Sequence, residues 1–231
     1  MVNTKSAALE TTPNQQLLHT LATIPPLAEL DLPARAALAR YMHERHYRPG
    51  QYLTYEGQIA EALFVVCEGR VRLARTAPDG REQVVAIVTG GEIFNMEPLL
   101  DGGPTPATAR AMSPVTCLLL PDSALAPLIR QFPDLALVLM RQMAEQLREQ
   151  ALLIEDLGFR SVRARLARLL LNEAASGAAM LTQAELAARA GTVREIVGRT
   201  LRQMSDEGLV ALKRGQVIVL DAQGLQRAAE I

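Results

Sequence analysis

The 231-residue sequence predicts an α+β fold in three parts: an antiparallel β-domain, one long helix and a C-terminal winged helix-turn-helix. Three observations predict it. Between Tyr47 and Pro121, glycines punctuate short apolar, β-branched runs (LFVVC, GRVRLAR, QVVAIV and VTCLLL). Between Pro133 and Leu157, apolar residues recur at alternating steps of four and three. Between Thr182 and Val210, two short helical patterns meet at Gly191.

Residues 1–14 are polar. Residues 15–23 and 33–46 read as helices, with Leu38, Tyr41 and Met42 on one face of the second and Pro33 in its first turn. That reading puts His43 and His46 near a helix end. The β-region holds about eight short strands, and so a barrel or jelly roll. Ala77-Pro78-Asp79-Gly80 is a hairpin turn. Ahead of it, Val71, Leu73 and the flanking Arg70, Arg72 and Arg75 alternate inward and outward. Cys67 and Cys117 sit in apolar strands and read as buried, inert thiols. Two cysteines cannot supply the four thiolates of an ordinary iron–sulfur cluster.

Ala136, Met140, Met143, Leu147, Gln150, Ile154 and Leu157 form an a/d seam on the long helix. A seam of this length suits pairing with a second copy. The stripe is widened by Leu139, Ala151 and Leu153, so it also suits packing on the chain's own β-domain. Gln150 is its one polar seat, placed to fix register or to face a small molecule. Gly158 is expected to break the helix. The domain boundaries that follow are 1–132, 133–158 and 159–231.

The last segment begins with a helix from Phe159 to Ala175, with Val162, Leu166, Leu169 and Leu170 on its apolar face and a turn at Ser176-Gly177. Thr182 and Gln183 head the next helix, in the capping box Thr182-Gln183-Ala184-Glu185. Backbone amides at such a helix start also suit a phosphate. Thr192 through Glu195 fit the same box. Val193, Val197, Leu201 and Met204 face inward, leaving Arg194, Glu195, Gly198, Arg199 and Arg202 outside. Arg can give two hydrogen bonds to guanine, and Glu can accept from cytosine N4, so this face suits base edges in a major groove. Plainer readings stand beside that one. Glu195 can cap its helix, or pair with Arg199 at i, i+4 for only ~0.2–0.5 kcal/mol. Arg194 and Arg202 can touch phosphate. Gly198 costs roughly 1 kcal/mol in a helix interior and fits where the helix approaches another surface. The run GLVALKRGQVIVL is two short strands around Lys213 and Arg214, a wing with a basic tip.

Charge distribution agrees. The net charge is −1 overall, but −5 over residues 1–159 and +4 over residues 160–231. The basic excess lies with the helix-turn-helix, as a nucleic-acid footprint requires. Nothing resembles a signal peptide, and no apolar run reaches the ~18 residues of a spanning helix. The expected compartment is the cytoplasm, with no membrane partner. There is no Ser/His/Asp set, metal-ligand cluster or phosphate-binding glycine loop, so an enzyme is not expected.

With these pieces in order, the chain resembles the cyclic-AMP receptor protein/fumarate-nitrate regulator (Crp/Fnr) superfamily of bacterial transcription factors along nearly its whole length. YRPGQYLTYEGQIAEALFVVCEGRVRL is similar to the start of the family's cyclic-nucleotide-type β-roll, including Gly50, Gly57 and Gly69. PDLALVLMRQMAEQL resembles its dimerisation helix, and GTVREIVGRTLRQMSDEGLV its recognition helix. The resemblance implies a homodimer on double-stranded DNA, with RNA polymerase as a partner if it activates. Arg194, Glu195 and Arg199 match members whose half-site resembles TGTGA. Ile196 stands where a hydroxyl residue is common.

The effector cassette departs from the pattern. Asn95-Met96 replaces the Gly-Glu of cyclic-AMP binders, and Pro106-Ala107 replaces their Arg-Ser pair. An anion pocket without that Arg loses its charge-assisted partner, and Glu97 would repel a phosphate. Gln150-Ala151 replaces the Thr-Ser pair that contacts adenine. Asn95, Met96, Glu97, Thr105, Pro106, Ala107, Thr108 and Gln150 remain the candidate effector residues. The expectation is an unidentified small-molecule effector other than cyclic AMP, or no effector at all, with no cofactor. The family's iron–sulfur branch has N-terminal cysteines and its haem branch a mid-domain His, and both are missing here. An alternative from another class is a ligand-binding module acting on a protein partner, with a degenerate DNA head.

Overall fold

The computed structural model describes residues 15–176, 182–213 and 216–230. Three short helices lead: α1 (Gln15–Thr23), α2 (Pro25–Ala28) and α3 (Leu32–Tyr41). Asp31 caps α3, accepting from the Ala34 amide at 2.8 Å. This helix stops before the expected residue 46. Met42 is already extended, and the next five residues form β1 (His43–Tyr47), paired with β8 (Val115–Pro121) from His43↔Leu119 to Tyr47↔Val115. In β1 only Tyr47 is buried, so the run HERHY carries no apolar period that could announce a strand. His43 and His46 are strand residues, and Tyr41 is exposed rather than inward.

Between them lie β2 (Tyr52–Thr54), β3 (Ala62–Glu68), β4 (Arg70–Thr76), β5 (Glu82–Thr89), β6 (Ile93–Phe94), α4 (Glu97–Asp101) and β7 (Thr108–Ala111). The eight strands form two four-stranded sheets, ordered β1-β8-β3-β6 and β2-β7-β4-β5. This is the antiparallel β-roll the sequence predicts. The hairpin turn stands where expected, closed by the Ala77 amide on the Arg81 carbonyl at 2.8 Å. The strand β4 departs from the simple alternation: Arg72 is 7% exposed and Leu73 only half-buried. Gly69 is required by its surroundings, since a Cβ there would lie 2.2 Å from the Pro114 carbonyl oxygen. Its φ of +91° is also in the left-handed region.

After α5 (Asp122–Gln131) comes the long α6 (Asp134–Phe159). Gly158 lies inside α6 and does not break it, a correction to the sequence reading. A single glycine costs about 1 kcal/mol in a helix but leaves its hydrogen bonds intact. The end of α6 is instead held by Arg165, whose Nη1 donates to the carbonyls of Asp156, Leu157 and Arg160 at 3.3, 3.2 and 3.0 Å. Phe159 accordingly ends α6 rather than starting the next helix.

The remaining elements are α7 (Val162–Ser176), α8 (Gln183–Ala190), α9 (Arg194–Asp206), the two-stranded wing β9 (Val210–Lys213) and β10 (Gln216–Val219), and α10 (Ala222–Ala229). The sequence gives little notice of α10 beyond Asp221, which caps it by accepting from the Gly224 amide at 2.9 Å. Gly177 lies outside the described residues.

The chain divides into two compact units, one running to Arg72 and from Val88 to Ala144, the other comprising Leu73–Ile87 and the chain from Glu145. The core of the first gathers Leu21, Leu27 and Leu38 from the leading helices. It adds Val65, Leu118 and Leu120 from β3 and β8, and Leu135 and Leu139 from α6. The core of the second gathers Leu166, Leu170, Leu186, Val197, Leu201, Met204 and Leu225. Among the described residues no single helix is long and apolar enough to cross a membrane.

Candidate nucleic-acid interface

The helix-turn-helix is built locally. Thr182 caps α8, its Oγ1 accepting from the Glu185 amide at 3.1 Å, and Gln183 is the first helical residue. Gly191 ends α8 with φ +62°, a conformation that costs other L-residues roughly 1–2 kcal/mol. The cap expected at Thr192 is not made. Val193 is the N-cap of α9, and no side chain caps it. Thr192 instead sits in the turn, its amide donating to the Ala187 carbonyl at 3.0 Å. The box pattern is present in sequence, but the helix starts one residue later than the pattern assumes.

The faces of α9 follow from what it packs on. Val197, Leu201 and Met204 are fully buried. Arg194, Glu195, Arg199 and Arg202 are exposed. Gly198 was expected on the outer face but is buried, beside the start of α8: a Cβ there would meet Gln183 Oε1 at 3.4 Å. The close approach that Gly198 serves is helix to helix. Thr200 is also buried and returns its hydroxyl to the Ile196 carbonyl at 2.9 Å.

Neither plain reading of Glu195 is realised. It does not join a capping box, and among the described residues it makes no ion pair with Arg199. The contrast with the other arginines of this unit is sharp. Arg163 binds Glu207 through two parallel hydrogen bonds, one of 2.7 Å and a shorter second. That fork raises the affinity of Arg163 for its proton and holds the Glu207 carboxyl below its ordinary value. Arg168 bonds Asp156 at 2.5 Å, and Arg189 bonds Glu173 at 2.6 Å with both side chains 12% exposed. Those three guanidinium groups are spent on ties between elements. Arg194, Arg199 and Arg202 have no hydrogen-bond or ion-pair partner among the described residues.

Lys213 ends β9, exposed and opposite Gln216; Arg214 lies outside the described residues. Two further residues share the exposed side of α9 and were not weighted as base readers from the sequence, Ile196 and Gln203. A helical wheel would have shown both.

The effector cassette has a different character. Asn95 is buried with φ +61°, and its Nδ2 donates to the Ala62 carbonyl at 2.9 Å. Asn tolerates the left-handed region better than most residues, which accounts for Asn in a glycine position. Met96 is fully buried in the apolar core. Glu97 opens α4 with one carboxylate oxygen buried and lacking a hydrogen-bond partner among the described residues. Thr105 and Ala107 are buried, and Pro106 is exposed. Thr108 accepts from the Glu56 amide at 3.1 Å. Gln150 is exposed on α6.

On α6, Leu135, Val138 and Leu139 face their own core. The seam does not: Met140, Leu147 and Ile154 are 54, 68 and 70% exposed, and Leu157 and Gln150 are exposed as well. Ala136 and Met143 are half-buried. Of the cysteines, Cys117 is buried and its thiol is pushed up to about 12 by desolvation, with Cys67 adding to it. Cys67 is half-buried rather than buried as the sequence suggested, and partial desolvation raises its thiol as well. Both are free thiols.

An antiparallel β-roll followed by a long helix and a winged helix-turn-helix with an unpaired basic face defines a class of two-part DNA-binding regulator. Residues 44–132 match the family model of the cyclic nucleotide-binding domain, and residues 164–228 that of the Crp-like helix-turn-helix domain. The cyclic AMP receptor protein of Thermus thermophilus is 38% identical, over 82% of this chain and 89% of that protein. A CRP-like cAMP-activated global transcriptional regulator of Mycobacterium tuberculosis is 30% identical, over 85% and 92%. A solved Crp/Fnr-family structure from Eubacterium rectale superposes with a TM-score of 0.81 at 21% identity, covering 90% of this chain and 98% of that one. The chain belongs to the Crp/Fnr family of DNA-binding transcription regulators and is not an enzyme.

Proposed function

We infer that the protein acts as a homodimer on a palindrome of TGTGA-like half-sites. Each subunit places α9 in a major groove, with the half-sites about one helical turn apart. The observation that carries this reading is the face of α9, where Arg194, Glu195 and Arg199 are exposed and unpaired while Val197, Leu201 and Met204 hold the helix from behind. Arg202, Lys213, Arg214, Thr182, Gln183 and Thr192 supply backbone contacts around it. The exposed seam of α6 supports pairing, because apolar side chains on one stripe of a helix gain most when a twin covers them. Residues 1–132 then serve as the effector-type domain, 133–158 as dimerisation helix and hinge, and 159–231 as the DNA-binding domain.

The effector is a small molecule other than cyclic AMP. Met96 has no carboxylate to accept from a ribose, and it is buried in the core. Pro106-Ala107 brings no cation, and Glu97 adds a negative charge where a phosphate would need a positive one. Where the protein activates transcription, RNA polymerase is its partner.

Selection of bound duplexes from a random pool, without ligand, tests the site. Enrichment of TGTGA-like palindromes is expected, with Arg199→Ala costing about 1–3 kcal/mol on the best site and relaxing its preference. Unchanged affinity and preference in Arg199→Ala would remove α9 as the reading element. Cyclic AMP is expected to leave binding unchanged.

A further inference from the structure

Ile196 is the anomalous residue of the exposed side of α9. It is β-branched, which a helix tolerates less well than Leu or Ala. It is 39% exposed, and it takes no part in the apolar core of its unit, which is complete with Val197, Leu201 and Met204. Its backbone carbonyl receives the Thr200 hydroxyl, and any side chain would serve there. Part of its butyl group stays open to solvent, and among the described residues it belongs to no apolar cluster.

On an ideal helix Ile196 lies about 60° around from Arg199, on the side away from Glu195 and Arg202, with Gln203 about 20° from it two turns on. The row formed by Ile196 and Gln203 is therefore uncharged, whereas Arg202 and Glu195 form the charged row across Arg199. That row brings no cation to a phosphate, and its one donor is the side-chain amide of Gln203. An apolar group there suits the one apolar feature of the major groove, the C5-methyl of thymine.

Building on the assignment of α9 as the reading helix, we propose that Ile196 is a specificity-determining residue that packs on a thymine methyl within each half-site.

The test replaces each thymine of the selected palindrome, one symmetric pair at a time, by uracil, which lacks only the methyl. Binding of the full-length protein and of Ile196→Ala is followed by fluorescence anisotropy at fixed salt. For the wild type, one thymine pair is expected to matter, with affinity falling roughly fourfold per half-site, the worth of burying one methylene-sized group. In Ile196→Ala the same uracil substitution is expected to change nothing, and the variant should bind the thymine site as weakly as the wild type binds the uracil site. A thermal melt of the variant is expected to match the wild type, as the side chain lies outside the core. Two outcomes overturn the proposal: no thymine is sensitive to loss of its methyl, or Ile196→Ala weakens thymine and uracil sites equally. If Arg199→Ala still relaxes sequence preference in either case, base reading by α9 stands and the methyl contact alone is wrong. A wild type that prefers no duplex overturns both.

Discussion

The two functional ends of this chain treat their polar groups in opposite ways. On α9, Arg194, Glu195 and Arg199 point outward and meet nothing among the described residues, although Glu195 and Arg199 stand at the spacing of a helix ion pair. In the β-roll cassette, Asn95 and Thr108 turn their side chains onto their own backbone, at 2.9 and 3.1 Å, and Met96 belongs to the core. Unspent polar groups on a rigid element mark a surface prepared for a partner. Spent ones, as at Asn95 and Thr108 though not at the buried Glu97 oxygen, mark a loop that holds its own shape. The lesson is that two regions of one chain can follow opposite rules, one leaving its charged groups free and the other closing polar side chains on its own backbone.

The largest test of that separation is mechanical. Leu201→Ala and Leu118→Ala each remove a fully buried side chain, one from each core, and each is expected to cost about 2–5 kcal/mol. Hydrogen exchange should show lost protection in α7 to α10 for the first, and in β3, β8 and the leading helices for the second. Loss of protection in the same segments for both would contradict two cores.

A smaller effect sharpens the reading of the turn. Thr182→Ala deletes an observed cap and is expected to cost about 0.5–2 kcal/mol. Thr192→Ala deletes a cap that exists only as a sequence pattern, and its melting temperature is expected to stay with the wild type. Any weaker DNA binding in Thr192→Ala then reports a contact with DNA rather than a weakened helix. Equal destabilisation by the two would show that α9 starts at Thr192 after all.

The smallest effect concerns the Arg163–Glu207 fork, which is exposed and so screened by solvent. Arg163 holds the Glu207 carboxyl below its ordinary value of 4.5. The fork therefore stabilises the folded head fully above that pH, and its contribution is lost as pH falls through the depressed value. Melting curves of the wild type and Glu207→Gln are expected to differ slightly near neutrality and to converge in acid. A gap that widens in acid would reverse the assignment.

Much of this was legible before any coordinates. Regular periods reveal themselves, so the heptad steps of α6, the glycine-bounded strands and the Val197–Leu201–Met204 stripe could be read directly. The failures share a cause. The strand β1 carries four charged or imidazole side chains and is a strand because β8 offers it backbone partners. Gly158 looked like a break because propensity counts only local cost, whereas the end of α6 is held by Arg165 from the following helix. Gly198 looked outward because a wheel drawn on one helix cannot show that α8 covers it.

By itself, then, the sequence determined the order of the parts, the sign of charge on the last of them and the residue types available to read DNA, because these depend on composition and on period along the chain. Only the tertiary structure decided which of those groups are free. Eleven basic residues lie beyond residue 159, and no pattern along the chain distinguishes Arg163, Arg168 and Arg189, held by carboxylates from distant turns and helices, from Arg194 and Arg199, which have none. Pairing is a matter of proximity in space, and that is settled only when the helices pack.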